Sequence, residues 1–399
     1  MAGTTSGVIG LPPITPTSNP QVNQIYPIVN ALFKQMTGRT DVQAVDTNSL
    51  IAMGQEIENL GKKDVWLNTM ARRIGYTIDG YRIYRNKFSS LARTNEEWGA
   101  FIQKIQAEMP EAKRDDMYDI GRLDGQSVDH YIINNPKVRV SMFDKETPFS
   151  FFITMSTKLL RDAFLSGPAM QSFINQVFGK VRNKIEVVLE ELARVCVANF
   201  VINLENWQHY HLVSMYNSEK GTALNSTTAL HDADFMAYAV AIINNVSEDM
   251  ETMSTLFNSY DYDRFTPKEQ QHFYMLSAFK FRLETVSLAS AINPKYLATE
   301  PEIAVPYWQG SGDKEKKKER LGWTESSKIA GTNKDRTPVE LNNLVAVIFD
   351  HEALGTFREE EDVLTTPVNA RAAYYNTFWH EKQLWFNDMG ENGVAFFLD

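Results

Sequence analysis

Residues 168–203 read PAMQSFINQVFGKVRNKIEVVLEELARVCVANFVIN, and this stretch decides the fold. Apart from the adjacent pair Val177-Phe178, apolar residues recur every three or four positions at Ile174, Val177, Phe178, Val181, Ile185, Val188, Leu192, Cys196 and Phe200. That is the period of a helix buried along one stripe. At ~1.5 Å per residue the rod is about 50 Å long, well beyond the average helix of about three turns. Ser166-Gly167-Pro168 breaks the chain ahead of it, and Pro168 stands where a first turn tolerates proline. Val188 is expected on the buried stripe, where an aspartate would bury an unpaired charge. A long one-sided helix in a mixed chain is a girder, and the flanking sequence must supply what leans on it.

Outward from the girder the texture is uneven. Residues 1–30 are rich in Pro, Thr, Ser and Gly, and read as a terminal arm, either disordered or ordered against a neighbour. Helical spacing follows over residues 44–71 through Leu50, Met53, Ile57 and Leu60. From Tyr76 to Ser156 the pattern is strand-like. Tyr76, Ile78, Tyr81 and Ile83 alternate around the turn signal Asp79-Gly80, as do Val138, Val140 and Met142, and Phe149–Ile153 forms a further strand. Trp98–Met109 reads as a short helix closed by Pro110, and Glu111–Asp129 as a polar tip. Strand pairs with a long polar tip make an extended β-arm, which has little core of its own and needs something external to pack on.

Thr157–Leu165 is a short helix with Ser156 as N-cap. Beyond the girder, Trp207–Tyr216 is strand-like, and helices are expected over Asp234–Asn245, Ser247–Leu256 and Lys268–Ser290. Pro301–Thr337 is polar and turn-rich, and its charged run Asp313–Arg320 reads as a solvated loop or as a charged loop at a subunit junction. The end of the chain is β-rich. Leu344–Phe349 is a fully buried strand, followed by aromatic strands at Tyr374–Trp379, Leu384–Phe386 and Val394–Leu398.

The 399 residues leave room for roughly two or three domains. With 43% apolar and 23% charged residues the chain has globular composition. A formal charge of −10 argues against general nucleic-acid binding, which needs a basic footprint, although a container wall need not grip its contents. Cys196 is the one cysteine, so no disulfide forms within the chain, and its place on the stripe makes it a small buried hydrophobe. No apolar run approaches the ~18 residues of a membrane span, and no charged leader precedes Lys34, so neither secretion nor membrane insertion is expected.

Catalytic and metal motifs fail on inspection. Gly310-Ser311-Gly312 has Glu315 where a dinucleotide fingerprint needs its third glycine, and Gly61-Lys62 lacks the upstream glycine of a phosphate loop. His380-Glu381 meets Leu384, and His351-Glu352 meets Gly355, where a zinc protease needs its second histidine. Asp261 and Asp263 begin like a calcium loop, but Phe265 replaces the third ligand. His209 and His211 could share a face yet lack a third ligand, and Glu359–Asp362 reads as a solvated acidic turn. No catalytic, cofactor-binding or metal residue is therefore assigned, and no enzyme activity or cofactor is expected.

The layout of terminal arm, β-arm, girder, α/β region and β-rich return resembles the major capsid proteins of tailed bacteriophages, with the Hong Kong 97-type fold, and most nearly those of small short-tailed podophages. The resembling stretches are Arg73-Ile74-Gly75, Arg93–Glu97, Ser156–Leu160 with Ala163, Phe164 and Ser166, then Phe173-Ile174. Near the end they are Asn369, Arg371, Tyr374, Tyr375 and Trp379, followed by Phe386 and Val394-Ala395-Phe396. The order of these stretches carries the likeness, since no single one is diagnostic.

The resemblance implies an α+β subunit with an N-terminal arm (1–71), an extended β-arm (72–155) and the spine-helix region of a peripheral domain (156–206). An axial domain (207–345) and the C-terminal strands of the peripheral domain (346–399) complete it. The implied function is self-assembly, as pentamers and hexamers, into an icosahedral or prolate head shell around double-stranded DNA bound without sequence specificity. Scaffolding and portal proteins are the implied partners, with no membrane, and the implied location is the virion after assembly in the host cytoplasm. An encapsulin-type nanocompartment shell is the alternative within the same fold. A hydrolase or metalloenzyme without a recognisable motif, or another virion module, are the readings outside it. Deleting residues 112–128 is expected to leave the subunit folded but unable to form stable shells, which electron microscopy of the expressed protein checks.

Overall fold

The computed structural model describes residues 20–74, 84–93, 102–110, 131, 133, 135, 137–143, 146–289, 302–309 and 323–399. The chain opens with helices α1 (Pro20–Thr37), α2 (Thr47–Asn59) and α3 (Lys63–Ile74). Strands β1 (Ala92–Arg93), β2 (Ile102–Ala107), β3 (Val138–Phe143) and β4 (Glu146–Ser156) follow, then α4 (Thr157–Ala163), α5 (Gly167–Ile174) and α6 (Lys180–Asn203). The next segment holds β5 (His209–His211), α7 (Leu212–Lys220), α8 (Ser226–Ala229), α9 (Ala233–Asp249), β6 (Gln271–Leu276) and α10 (Ser277–Ala289). The remainder is β7 (Ile303–Val305), α11 (Trp323–Ser326), β8 (Ile329–Thr332), β9 (Pro338–Leu341), β10 (Leu344–Asp350), β11 (Leu354–Thr365), β12 (Tyr374–Asn387) and β13 (Gly393–Phe397).

These elements form two compact units. The first comprises residues 1–85, 149–187 and 360–381. Its helices bury one face each: Val29, Leu32 and Phe33 of α1, Leu50, Met53 and Ile57 of α2, and Trp66, Leu67 and Met70 of α3. Asp46 caps α2 by accepting the Ser49 N–H at 2.7 Å, while Ser49 Oγ accepts the Asp46 N–H, so two otherwise orphaned donors are satisfied. Trp66 lies 4.9 Å from Phe164, and Phe178 lies 5.9 Å from Trp379. Ser156 caps α4 as the sequence predicts, accepting Leu159 N–H at 3.1 Å.

The second unit comprises residues 86–148, 188–359 and 382–399. Its centre is a mixed sheet in the order β5-β13-β10-β6-β7. β10 runs antiparallel to both β13 and β6, while β5 and β7 join the edges in parallel. Every residue of β10 and β13 is buried, which is why both read as continuous apolar runs rather than alternating ones. α9 packs against α7 and α10, which themselves lie on the strands of this sheet. Asp232 caps α9 by accepting the Phe235 N–H at 2.8 Å.

The girder is present as α5 and α6 joined by a π-turn at Asn175–Gly179, so the chain is helical from Gly167 to Asn203. Ser166 Oγ caps it through Ala169 N–H at 3.2 Å, with Pro168 in the first turn. Ile174, Val177, Phe178, Val181, Ile185, Cys196 and Phe200 are buried as expected. Val188 and Leu192 are half-buried, and Glu190 and Arg194 are buried in the same part of the helix. The cause is tertiary: Glu190 accepts from Lys87 N–H at 3.4 Å and pairs with Arg194 at 2.6 Å. Arg194 in turn donates to the carbonyls of Tyr307 and Trp308. A charge at position 188 is therefore less buried than the stripe implies.

Other expectations are corrected by packing. Within the helix expected over Trp98–Met109, the described part is strand: Ile102–Ala107 pairs with Val138–Phe143, and pairing overrides the apolar spacing of Ile102 and Ile105. Trp207–Tyr216 is strand only at His209–His211, with α7 starting at Leu212. Ser247–Leu256 is no separate helix, because α9 runs to Asp249 and then turns. Lys268–Ser290 divides into β6 and α10, the buried run Phe273–Leu276 serving as a sheet strand beside β10.

Glu359–Asp362 is not a turn but lies within β11, in the sheet β1-β11-β12-β4. Tyr374–Phe386 is one strand rather than two. The polar stretch Pro301–Thr337 contains β7 and β8, the latter paired with β9 just beyond it. The N-terminal arm is helical from Pro20. Expectations on 1–19, 75–83, 94–100, 111–130 and 310–322 lie outside the described residues, among them the Asp79-Gly80 turn, the polar tip and the charged run.

Gly393 begins β13 directly against Phe200 of α6. A Cβ there would stand 2.5 Å from Phe200 Cζ and 2.7 Å from its Cε1. Gly393→Ala is expected to destabilise the fold by about 1–3 kcal/mol through overpacking, read as a lower urea midpoint. An unchanged midpoint would mean that Phe200 gives way freely.

Candidate subunit-contact surface

β2 and β3 form a two-stranded antiparallel hairpin in which Ile102 faces Phe143, Lys104 faces Ser141, Ile105 faces Val140 and Ala107 faces Val138. Such a ladder is marginal in isolation. Its polarity is inverted with respect to its own subunit. Ile105 is 67% exposed, Val138 53%, Val140 51% and Met142 60%. The other face is turned inward and carries Ile102, Lys104, Gln106, Ser141 and Phe143, so its apolar members sit together at one end of the ladder.

The inward contacts are mostly polar. Lys104 Nζ donates to the Glu352 carbonyl at 2.7 Å and to Glu391 Oε1 at 3.3 Å. It also lies 3.1 Å from Asp388 Oδ2, an ion contact outside hydrogen-bonding geometry, and 3.4 Å from Glu352 Oε2. Gln106 Nε2 donates to Glu391 Oε1 at 2.9 Å. Phe143 packs on Phe386 with centroids 5.2 Å apart, and the Arg139 guanidinium sits 4.4 Å over the Tyr262 ring. Burial raises the pKa of Glu391; Lys104 and Arg264 oppose the rise, and Asp350 and Asp388 add to it.

The motif residues take structural roles. His209 and His211 do share a side, but they flank Phe397 at 5.1 and 5.6 Å. His209 Nε2 bonds the Val201 carbonyl at 3.0 Å, and burial lowers its pKa; His211 Nδ1 meets Asp399 Oδ1 at 2.6 Å. His351 Nδ1 lies 2.9 Å from Nε2 of His272, whose Nδ1 lies 2.6 Å from Glu302. Sequence spacing gave no signal for that chain, since its members come from three separate segments. His380 stacks on Phe378. Asp261 takes a left-handed conformation, φ 54°, directly after the turn at Ser259-Tyr260. Among the described residues no group of three or more His, Cys, Asp or Glu is arranged to hold a metal ion, and no helix is long and apolar enough to cross a membrane.

Comparison with known proteins bears on the whole architecture. The family model described as Phi29-like phage major capsid protein matches residues 29–397. Among solved structures, the chain is similar to one from the capsid structure of Staphylococcus phage Andhra, with TM-score 0.50 and 12% identity, covering 81% of this chain and 86% of that one. It is similar to the same degree, TM-score 0.50 at 11% identity, to a chain in the structure of head fiber and inner core protein gp22 of native bacteriophage P68, covering 81% and 87%. At such identity the likeness speaks for the fold, which is of the Hong Kong 97 type. A search of curated proteins finds no match.

A shell wall needs no nucleophile, and Cys196 is packed accordingly. Its Sγ lies 2.8 Å from Asn387 Oδ1, and burial pushes the thiol pKa up to about 12. At pH 8 the native thiol is expected to resist a disulfide reagent such as dithionitrobenzoate and to react fully once unfolded in guanidinium. Rapid labelling of the folded protein would show that the α6 packing is open.

Proposed function

We propose how this chain, which belongs to the Phi29-like phage major capsid protein family, builds its shell: the bare outer face of the β2–β3 hairpin packs onto a second copy. A phage major capsid protein is a wall subunit, and the encapsulin alternative is not favoured by the family match. The observation that carries the proposal is the row Ile105, Val138, Val140 and Met142 standing in water beside a polar inner face. Completing the burial of four half-exposed side chains is worth on the order of 3–6 kcal/mol gross. Ordering and association costs remove much of that, so one contact is weak and correctable while many hold a finished shell.

The finer reading follows the same logic. Head-to-tail contacts close into rings when the rotation closes, and we assign the shell pentamers and hexamers, with residues 207–345 as the axial domain that meets its copies around the ring axes. The spine-helix region 156–206 and the C-terminal strands 346–399 act as the peripheral domain. The contents are double-stranded DNA, held without sequence reading. A wall of net charge −10 does not bind a polyanion strongly, so it does not impede packing or release. Scaffolding and portal proteins complete assembly in the host cytoplasm.

Glutamate at Ile105 and at Val140 together tests the contact. Both sites are exposed, so the variant subunit is expected to keep its melting temperature within about 2 °C, in line with surface substitutions. Yield of shells by electron microscopy and sedimentation is expected to fall more than about tenfold, the equivalent of ~1.4 kcal/mol. Shells in normal yield would sink the proposed contact.

A further inference from the structure

The hairpin that offers its apolar face outward is itself held by charge. Its inner face brings Lys104 into a ring of acceptors from two other segments: the turn Asp350–Glu352 after β10, and the loop Asp388–Asn392 between β12 and β13. Asp388 and Glu391 are both buried, and Arg264 Nε reaches Glu391 Oε2 at 3.4 Å from the segment before β6. Glu352, Asp388 and Glu391 thus face two cations, Lys104 and Arg264, with Asp350 close enough to be felt by Glu391. Lys104 is the hairpin's own contribution of charge to this cluster. Phe143 on Phe386 is a ring contact of the hairpin with the body, and Arg139 over Tyr262 is a second cationic one.

We propose that Lys104 anchors a releasable strap: its ammonium, clasped by Glu352, Asp388 and Glu391, holds the β2–β3 hairpin on its own subunit and sets the angle at which the apolar face is presented to a second copy. The role of the strap rests on the contact proposed above; the anchor does not. Apolar cores release a strand only by exposing greasy surface, whereas a strap held by hydrogen bonds and ion contacts exchanges them for water or for a neighbour's groups. Removing the lysine leaves buried Asp388 without a cation and Glu391 with only Arg264 and Gln106, so the buried charge is under-compensated and the hairpin loses its ionic hold. Lys104 is a positioning residue, and its loss is felt locally.

Hydrogen exchange on the full-length free subunit tests this. In Lys104→Met, amides of 102–107 and 138–143 are expected to exchange at least tenfold faster, while 271–276, 344–350 and 393–397 keep wild-type protection. Glu391→Gln, which keeps the shape and removes one charge, is expected to give a smaller loosening at the same amides, and it serves if the methionine variant does not fold. Unchanged hairpin exchange in the variants that fold, or equal loosening of the five-stranded sheet, overturns the anchor. Shell yields separate the two ideas. A locally loosened hairpin together with normal shells from the Ile105/Val140 glutamate variant leaves the anchor and sinks the contact. Unaltered exchange together with assembly failure of that variant sinks the anchor alone.

Discussion

The five-stranded unit depends on one close approach, that of α6 to the middle of its sheet. Phe200 lies against Phe349 of β10 with centroids 5.8 Å apart, and Gly393 of β13 leaves the space its ring edge fills. β10 has neighbours on both sides, so its position fixes β13 and β6, and through them β5 and β7. Cys196 one turn earlier bonds Asn387 at the end of β12, and Asn387 donates back to the Cys196 carbonyl at 3.2 Å. The helix is thereby tied both to the sheet and to the strand that leads into the loop holding Asp388 and Glu391. The geometry of the charge cluster under the hairpin follows from how this helix seats.

The middle of α6 shows a different use of burial. Glu190 and Arg194 are i and i+4 neighbours, a spacing that on sequence grounds belongs to a solvated face. Here both are buried, and Arg194 is stacked between the rings of Phe88 and Tyr307. Breaking such a pair is costly, although the pair itself adds little net stability. What it adds is register, because the planar guanidinium meets the Tyr307 and Trp308 carbonyls in one position along the helix.

Sequence patterns revealed elements where burial was one-sided or capping chemistry was local, and, among completely buried runs, at β10 and β13. The girder, β10, β13 and the cap at Ser156 were legible because period and capping chemistry are local properties. β2 was not, since Ile102 and Ile105 are spaced as on a helix, and only the partner strand 138–143 turns them into a ladder. β6 was hidden for the opposite reason: Phe273–Leu276 is uniformly apolar, so no period distinguishes helix from strand. Glu359–Asp362 looked like a turn because charge implies solvent, yet the run lies within the strand β11. The charge cluster could not be read at all. Lys104, Glu352, Asp388 and Glu391 come from three distant segments that only the sheet brings together.

The two ways of holding structure suit two mechanical tasks in the proposed shell. Packed rings such as Phe200 on Phe349 lose much of their attraction when pulled apart by as little as 0.5–1 Å, so the sheet unit behaves as a solid body. Coulomb attraction falls only as the inverse of distance, so Lys104 keeps its hold as the hairpin shifts by a comparable amount. A subunit repeated in both five- and six-membered rings must meet its neighbours at slightly different angles. An apolar inner face would set one angle and resist the other. A charge-anchored inner face with an apolar outer one reverses the usual order, and in the proposed shell it would let the strap follow its neighbour while the body beneath it stays unchanged.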